Sequence, residues 1–167
     1  MAREPVLSFT ERGLYCPAGD FYIDPWRPVD RALITHGHSD HARGGHGKVL
    51  AHPDTLAIMA CRYGQNFAKS TQSLEYGETV EINGVTVWLA PAGHILGSAQ
   101  VVVEHKGLRM TFTGDYKRRF GPTCATFEPV LGTHVFISEA TFALPVFRHP
   151  DTGGEIARLL HSLQAFP

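Results

Sequence analysis

Apolar and polar positions alternate over residues 79–82 and 85–89, on either side of Asn83-Gly84. Period-two alternation sends successive side chains to opposite faces of a strand, and Asn-Gly tolerates the positive φ angles of a tight turn. This stretch therefore predicts a hairpin. Residues 100–104 and 108–113 predict a second one around His105-Lys106-Gly107. Upstream, residues 6–15 and 21–23 read as short strands around the turn 16–20, which carries Pro17 and Gly19. Residues 31–35 form a short apolar strand that runs straight into His36, and 49–51 form another. Residues 54–63 predict a helix, started by Pro53 and Asp54 and stopped by Gly64. Residues 135–138 read as a buried strand that ends at Glu139, and 152–163 as a helix with Gly153-Gly154 near its start. Strands outnumber helices, and they come in hairpins rather than βαβ units. The fold class this predicts is α+β, a sandwich rather than a doubly wound sheet.

The 167 residues suit one domain, and 43% hydrophobic content is enough to bury a core. A net charge of −1 argues against nucleic-acid binding by bulk electrostatics, although a local basic strip is compatible with it. The three cysteines, Cys16, Cys61 and Cys124, are odd in number and form no C-x-x-C pair. That argues against a disulfide framework or zinc ribbon and fits a reducing compartment. Charges occupy the first residues where a signal peptide needs an apolar run, and no stretch approaches the roughly 18 apolar residues of a membrane span. The expectation is a cytoplasmic protein without a membrane partner.

The ten histidines change the picture through their spacing. His36-Gly37-His38-Ser39-Asp40-His41 sets four ligand-type residues within six positions, on a glycine-containing loop just after an apolar strand. Imidazole nitrogens and a carboxylate oxygen on such a loop can point into one volume, at the bond lengths of about 2.0–2.2 Å that zinc requires. Two further groups follow. Pro91-Ala92-Gly93-His94-Ile95-Leu96-Gly97-Ser98 puts a histidine in a glycine-rich turn between strands, and Phe112-Thr113-Gly114-Asp115 puts a carboxylate at a strand end. Either alone is usually structural; with the first string they read as parts of one site.

These three motifs resemble those of the metallo-β-lactamase superfamily. The resemblance implies an αββα sandwich, partial here, and two divalent metal ions, zinc with manganese as an alternative. One metal would take His36, His38 and His94; the other would take Asp40 and His41; Asp115 would join them. Two such ions hold a hydroxide and clamp a phosphoryl oxygen. Asp24 matches an early aspartate that supports the ligand loop in this family. Asp40 and Asp115 packed together without cations are costly, so the metal-free form should be loose around the site.

Ile137-Ser138-Glu139-Ala140-Thr141-Phe142 resembles a signature of the β-CASP nucleases, where the acid orients a ligand histidine; Glu139 and Asp40 are accordingly the candidate catalytic acids. Residues 13–26, 91–100, 114–117, Pro122-Thr123-Cys124 and Phe127-Glu128-Pro129 look like the bacterial ligase-associated DNA exonucleases. The resemblance implies a phosphodiesterase acting in DNA repair beside a DNA ligase and a helicase. It implies a nucleic-acid partner, DNA in preference to RNA, with an RNA-processing nuclease as the alternative. Lys117-Arg118-Arg119 lies just past Asp115; Lys117 and Arg118 could hold a phosphate backbone, or form a solvated basic turn. Tyr116 and Phe120 could stack on bases or belong to the core. Ser98 is a candidate substrate contact, and Ser39 a possible supporting donor.

Members of that branch carry two further histidines downstream. Here His134, His149 and His161 remain, and none suits a ligand position; His134 should sit away from the metals, at the far end of the strand from Glu139. His46, His52 and His105 read as surface or turn residues. Residues 1–143 are then expected to be the N-terminal part of the metallo-β-lactamase domain and 144–167 the start of a truncated β-CASP cassette. That leaves two competing readings: a small-molecule hydrolase acting on thioesters or lactones, and an inactive fragment.

Overall fold

The computed structural model describes residues 5–148 and 150–166, so His149 lies outside them. Strands β1 (Ser8–Thr10) and β2 (Gly13–Cys16) form an antiparallel hairpin, and β3 (Phe21–Ile23) pairs antiparallel with β2. From there the sheet turns parallel. β4 (Arg31–Ile34), β5 (His46–Ala51) and β6 (Ala68–Ser73) add in order, each parallel to its neighbour. Helix α1 (Pro53–Tyr63) carries the chain from β5 to β6. This half of the molecule therefore contains a βαβ unit, which corrects the expectation of hairpins throughout. The second sheet follows the hairpin pattern. β7 (Thr79–Ile82), β8 (Val85–Pro91), β9 (Ala99–His105) and β10 (Leu108–Phe112) meander antiparallel, and β11 (Val135–Ile137) closes the edge parallel to β10. Asn83-Gly84 and Lys106-Gly107 both have positive φ at both positions, the two-residue turn that matches strand twist.

Alternation along β4 explains the layering. Leu33 points between the sheets, where it joins Leu14, Phe21, Ile23 and Leu50 against Val85, Val87, Leu89, Val101 and Val103 of the second sheet. Ala32 and Ile34 point the other way, into a smaller cluster with Val49, Ala51, Phe67 and Met59 of α1. Both faces of this strand are buried, so it reads as a continuous apolar run. Burial of these side chains stabilises by about 1.5–3 kcal/mol each for Val, Leu, Ile, Phe and Met.

The outer face of the second sheet is covered by residues 123–134 rather than by a helix. Gln100 Nε2 donates to the carbonyls of Pro91 and Glu128, at 2.9 and 2.7 Å. Thr111 and Thr133 hydroxyls are 2.8 Å apart, and the Arg109 guanidinium lies over the Trp88 ring while donating to the Leu131 carbonyl.

Three further expectations change. β11 is an edge strand with Phe136 52% exposed, because among the described residues it is paired on the β10 side only. His46 and His52 are buried, not surface residues. Val29 N–H donates to His46 Nδ1, and burial holds the His46 ring below its ordinary pKa. His52 caps α1, its Nδ1 accepting from Asp54 N–H at 3.3 Å. Helix α2 (Thr152–Ala165) begins where expected, with the Asp151 carboxylate accepting from Gly154 N–H. Its apolar stripe of Ile156, Leu159, Leu160 and Leu163 faces solvent.

Candidate metal centre

Strands β8 and β10 are both antiparallel to β9, so they point the same way, and the loops that follow them share one end of the sheet. The end of β4 is brought to the same place by a bond between sheets: Ala99 N–H donates to the Thr35 carbonyl at 2.8 Å. Gly114 completes the junction. Its φ is +55°, and a side chain there would lie 2.6 Å from the Thr35 hydroxyl oxygen, so only glycine permits the approach. Three segments far apart in sequence thus deliver His36 and His38, His94, and Asp115 to one volume.

The donor atoms of these four residues all lie within 4.8 Å of one another. His38 Nδ1 is 3.1 Å from both His36 Nε2 and His94 Nε2. Asp115 Oδ2 is 3.8 Å from His36 Nε2 and 3.7 Å from His94 Nε2. A tetrahedral zinc shell with bonds of about 2.0–2.2 Å has donor–donor edges of roughly 3.3–3.6 Å. The observed edges bracket that range, so these residues fit a divalent ion. On the other side of the carboxylate, Asp115 Oδ1 is 3.4 Å from His41 Nε2, and Asp40 Oδ2 is 3.6 Å from the same nitrogen. The two oxygens of Asp115 thus face two different histidine groups. The Asp40 side chain is 72% exposed.

Asp24 fixes which ring nitrogens face inward. Its left-handed backbone, at φ +44°, turns the carboxylate under the loop. Oδ1 accepts from Thr35 N–H at 2.8 Å, and Oδ2 accepts from the Thr35 hydroxyl at 2.6 Å and from His41 Nδ1 at 2.8 Å. The Thr35 hydroxyl proton is committed to Asp24. Its oxygen, 3.0 Å from His36 Nδ1, therefore accepts from that nitrogen. Both His36 and His41 are left as the tautomer that presents a bare Nε2 to the cluster, which is what a metal requires. The sequence carried a signal for Asp24 but none for Thr35, whose part depends on a bond across the sheet.

Electrostatics separates the two histidines. Burial, reinforced by the neighbouring rings of His41, His38 and His94, holds His36 down at about 2. Burial also pulls on His41, but the hydrogen bond and charge of Asp24, with Asp115 and Asp40, outweigh it and raise the pKa. His94 is lowered by burial and by His38, against the opposing charges of Asp115 and Glu139.

The cluster opens into a cavity of about 640 Å³ lined by His94, Asp115, Lys117, Arg118, Glu139 and Phe142, among others. Lys117, Arg118 and Arg119 are exposed at its mouth, and Lys117 N–H is pinned to the Ala92 carbonyl at 3.0 Å. Glu139 accepts from Thr141 N–H at 2.8 Å and acts on His94 through space. Tyr116 packs on Phe127, whereas Phe120 is 75% exposed. Ser98, expected as a substrate contact, is instead buried; its hydroxyl oxygen accepts from His94 N–H and Ile95 N–H, so it shapes the ligand loop from inside. His134 sits beside Arg109, whose N–H donates to its Nδ1, at the opposite end of β10 from Asp115. His161 lies on α2 and is not part of the donor cluster.

Comparison with known proteins agrees with this geometry. The chain is 34% identical over 160 residues to a protein of Opitutus terrae named a probable DNA ligase, covering 92% of the chain and 15% of that protein. It is 31% identical over 140 residues to the endoribonuclease YSH1 of Eremothecium gossypii, covering 82% of the chain and 17% of the relative. A cleavage and polyadenylation specificity factor subunit 3-I of Arabidopsis thaliana is 33% identical over 125 residues, covering 58% and 18%. The chain thus spans between 15% and 18% of the length of these relatives, and they are consistent with the β-CASP branch. Among solved structures, a CmlA β-hydroxylase variant superposes with a TM-score of 0.50 at 17% identity, over 71% of the chain and 31% of that protein, a likeness of fold alone. The family model of the metallo-beta-lactamase superfamily matches residues 23–163, which takes in every donor described above. On the match and the donor geometry together, the chain belongs to the metallo-beta-lactamase superfamily.

Proposed function

We propose that this chain carries the metal-binding part of a nuclease that hydrolyses phosphodiester bonds, acting on DNA as an exonuclease in repair. The observation that carries the reading is the His36, His38, His94 and Asp115 cluster opening into a cavity whose mouth holds Lys117, Arg118 and Arg119. A phosphodiester brings negative charge to both features at once, and a neutral lactone or thioester would make no use of three cations at the mouth. Divalent ions, when bound, supply a water acidified towards a pKa of about 7 and a clamp for the phosphoryl oxygens. The chain's own residues do the rest. His36, His38 and His94 would present ring nitrogens to one ion, Asp115 turns one oxygen to each histidine group, and Asp40 with His41 would serve the outer position. Lys117 and Arg118, exposed on the cavity lining, would hold the phosphate backbone of a strand beside the cluster. The relative named a probable DNA ligase supports DNA as the substrate and a ligase as the setting.

A second reading, an RNA-cleaving enzyme of the same branch, is favoured by the relatives named endoribonucleases. One assay separates the two. Labelled single-stranded DNA and RNA of the same sequence are incubated with the zinc- or manganese-loaded chain and with His38→Ala. Progressive shortening of DNA that His38→Ala abolishes is the expected result. Shortening or internal cutting of RNA alone would turn the reading to RNA, and two intact strands would overturn nuclease activity of this chain.

A further inference from the structure

His94 stands apart from the other histidine ligands. His36 and His38 are fixed by the strand they follow, whereas His94 rides on the loop between β8 and β9, and its place depends on what holds that loop. Inside the loop, Ala92 N–H donates to the Ser98 carbonyl at 3.0 Å, and the Ser98 hydroxyl accepts from His94 and Ile95 N–H. Those bonds set the loop's shape. They do not set where the loop sits relative to β4.

The Ala99 N–H to Thr35 carbonyl bond ties the loop's far end to β4, and two hydroxyls outside the loop brace it further. Thr55 in the first turns of α1 is fully buried, and its Oγ1 donates to the Gly97 carbonyl at 2.9 Å. The Tyr76 phenol donates to the Ser98 carbonyl at 2.9 Å. Burial raises the Tyr76 pKa, so the phenol keeps the proton it donates. The Tyr76 ring is itself placed. It stacks on His52 at 4.2 Å with the planes 24° apart, and His52 is the N-cap of α1, with Nε2 3.3 Å from a Glu75 oxygen. Gly97 lies directly against α1, where a side chain would fall 2.7 Å from Thr55 N. A continuous path therefore runs from the α1 cap through His52 and Tyr76 to the Ser98 carbonyl, and from Ser98 to the backbone of His94.

We infer that Tyr76 and Thr55 are positioning residues for the metal ligand His94, setting the affinity of the three-histidine site without touching the ion. The inference rests on the metal reading above. Supporting hydrogen bonds behind a ligand commonly contribute 10- to 100-fold in metal affinity, about the scale expected here. Neither residue lies in the H-x-H-x-D-H string or near it in sequence, which is why spacing alone does not mark them.

The test measures zinc affinity by competition with a chromophoric chelator, and cobalt absorption as a readout of coordination geometry. Five proteins are needed: the unmodified chain, His94→Ala, Tyr76→Phe, Thr55→Val and Thr55→Ser. Loss of binding in His94→Ala shows that His94 is a ligand; binding unchanged there would sink the metal reading itself. Given a ligand role for His94, Tyr76→Phe is expected to weaken zinc by about tenfold and to alter the cobalt spectrum. Thr55→Ser, which keeps the hydroxyl, is expected to bind as the unmodified chain does. Should Tyr76→Phe fail to fold, Thr55→Val against Thr55→Ser carries the same test, with weaker zinc binding in Thr55→Val only. Unchanged affinity and an unchanged cobalt spectrum in Tyr76→Phe or Thr55→Val would overturn the inference and leave these residues as packing.

Discussion

The two halves of the metal centre are built on different principles. The half formed by His36, His38 and His94 is walled only at His36, which is buried at the junction of the two sheets; its donors already stand at spacings near those of a filled site, and burial lowers the His36 pKa. The half formed by Asp40 and His41 is open. Asp40 is mostly exposed, and His41 keeps its direction through the single carboxylate of Asp24. The first half is organised by packing, the second by charge. A site of this kind should fill in order, with the walled position first.

Asp115 faces both halves from within and Asp24 supports both from behind, bonding Thr35 under His36 and the His41 ring, so loss of Asp24 has the largest expected effect. Asp24→Ala strands a buried Thr35 N–H and hydroxyl, and frees both the His36 tautomer and the His41 ring. Each lost bond to the carboxylate is worth about 1.5–3 kcal/mol, so a destabilisation of about 3 kcal/mol or more is expected in urea unfolding of the metal-free chain. Loss of zinc binding at both positions should accompany it. Retention of one full equivalent of zinc would show that packing alone organises the walled half.

An intermediate effect separates the halves by pH. Folded His36 is held at about 2, while its unfolded value is near 6.5, so the unfolded chain binds the extra proton between those values. Stability of the metal-free chain should therefore fall as the pH drops below 6.5, by on the order of 1.4 kcal/mol per pH unit for this one ring. His41, with a raised pKa, contributes with the opposite sign: its share is present below the unfolded value and is lost as the pH rises through the folded one. Urea midpoints followed from acid pH to above 6.5 should flatten at the acid end in His36→Gln, and lose their decline above 6.5 in His41→Gln. Parallel profiles for the two variants would remove the electrostatic distinction.

The smallest structural effect belongs to Asp40. Its exposed side chain makes Asp40→Ala neutral for folding, to within about 0.5 kcal/mol, while the zinc stoichiometry drops from two towards one. A loss of the first equivalent as well would mean that the open half supports the walled one.

Much of this was legible from residue order. Asn83-Gly84 marks its hairpin because few other pairs tolerate positive φ twice, and Lys106-Gly107 does so through its glycine alone. The H-x-H-x-D-H string marks the site because it lies in one loop. What was hidden depends on distance along the chain. β6, Ala-Lys-Ser-Thr-Gln-Ser, is an edge strand exposed along nearly its whole length, so it carries no apolar alternation, and without it the βαβ unit is invisible. His52 reads as a surface residue until Tyr76, 24 positions on, is stacked over it. Ser98 reads as a polar group at a site because nothing local reveals that its hydroxyl turns inward.

The bond from Ala99 N–H to the Thr35 carbonyl spans the two sheets at the point where the donors converge. No donor set spanning His36, His94 and Asp115 exists until that seam is closed, because neither sheet holds it alone. Metal capture by this chain is thus a clock for one event in folding, the docking of sheet on sheet. In a refolding experiment, the appearance of cobalt colour should lag behind backbone circular dichroism by the time that docking takes.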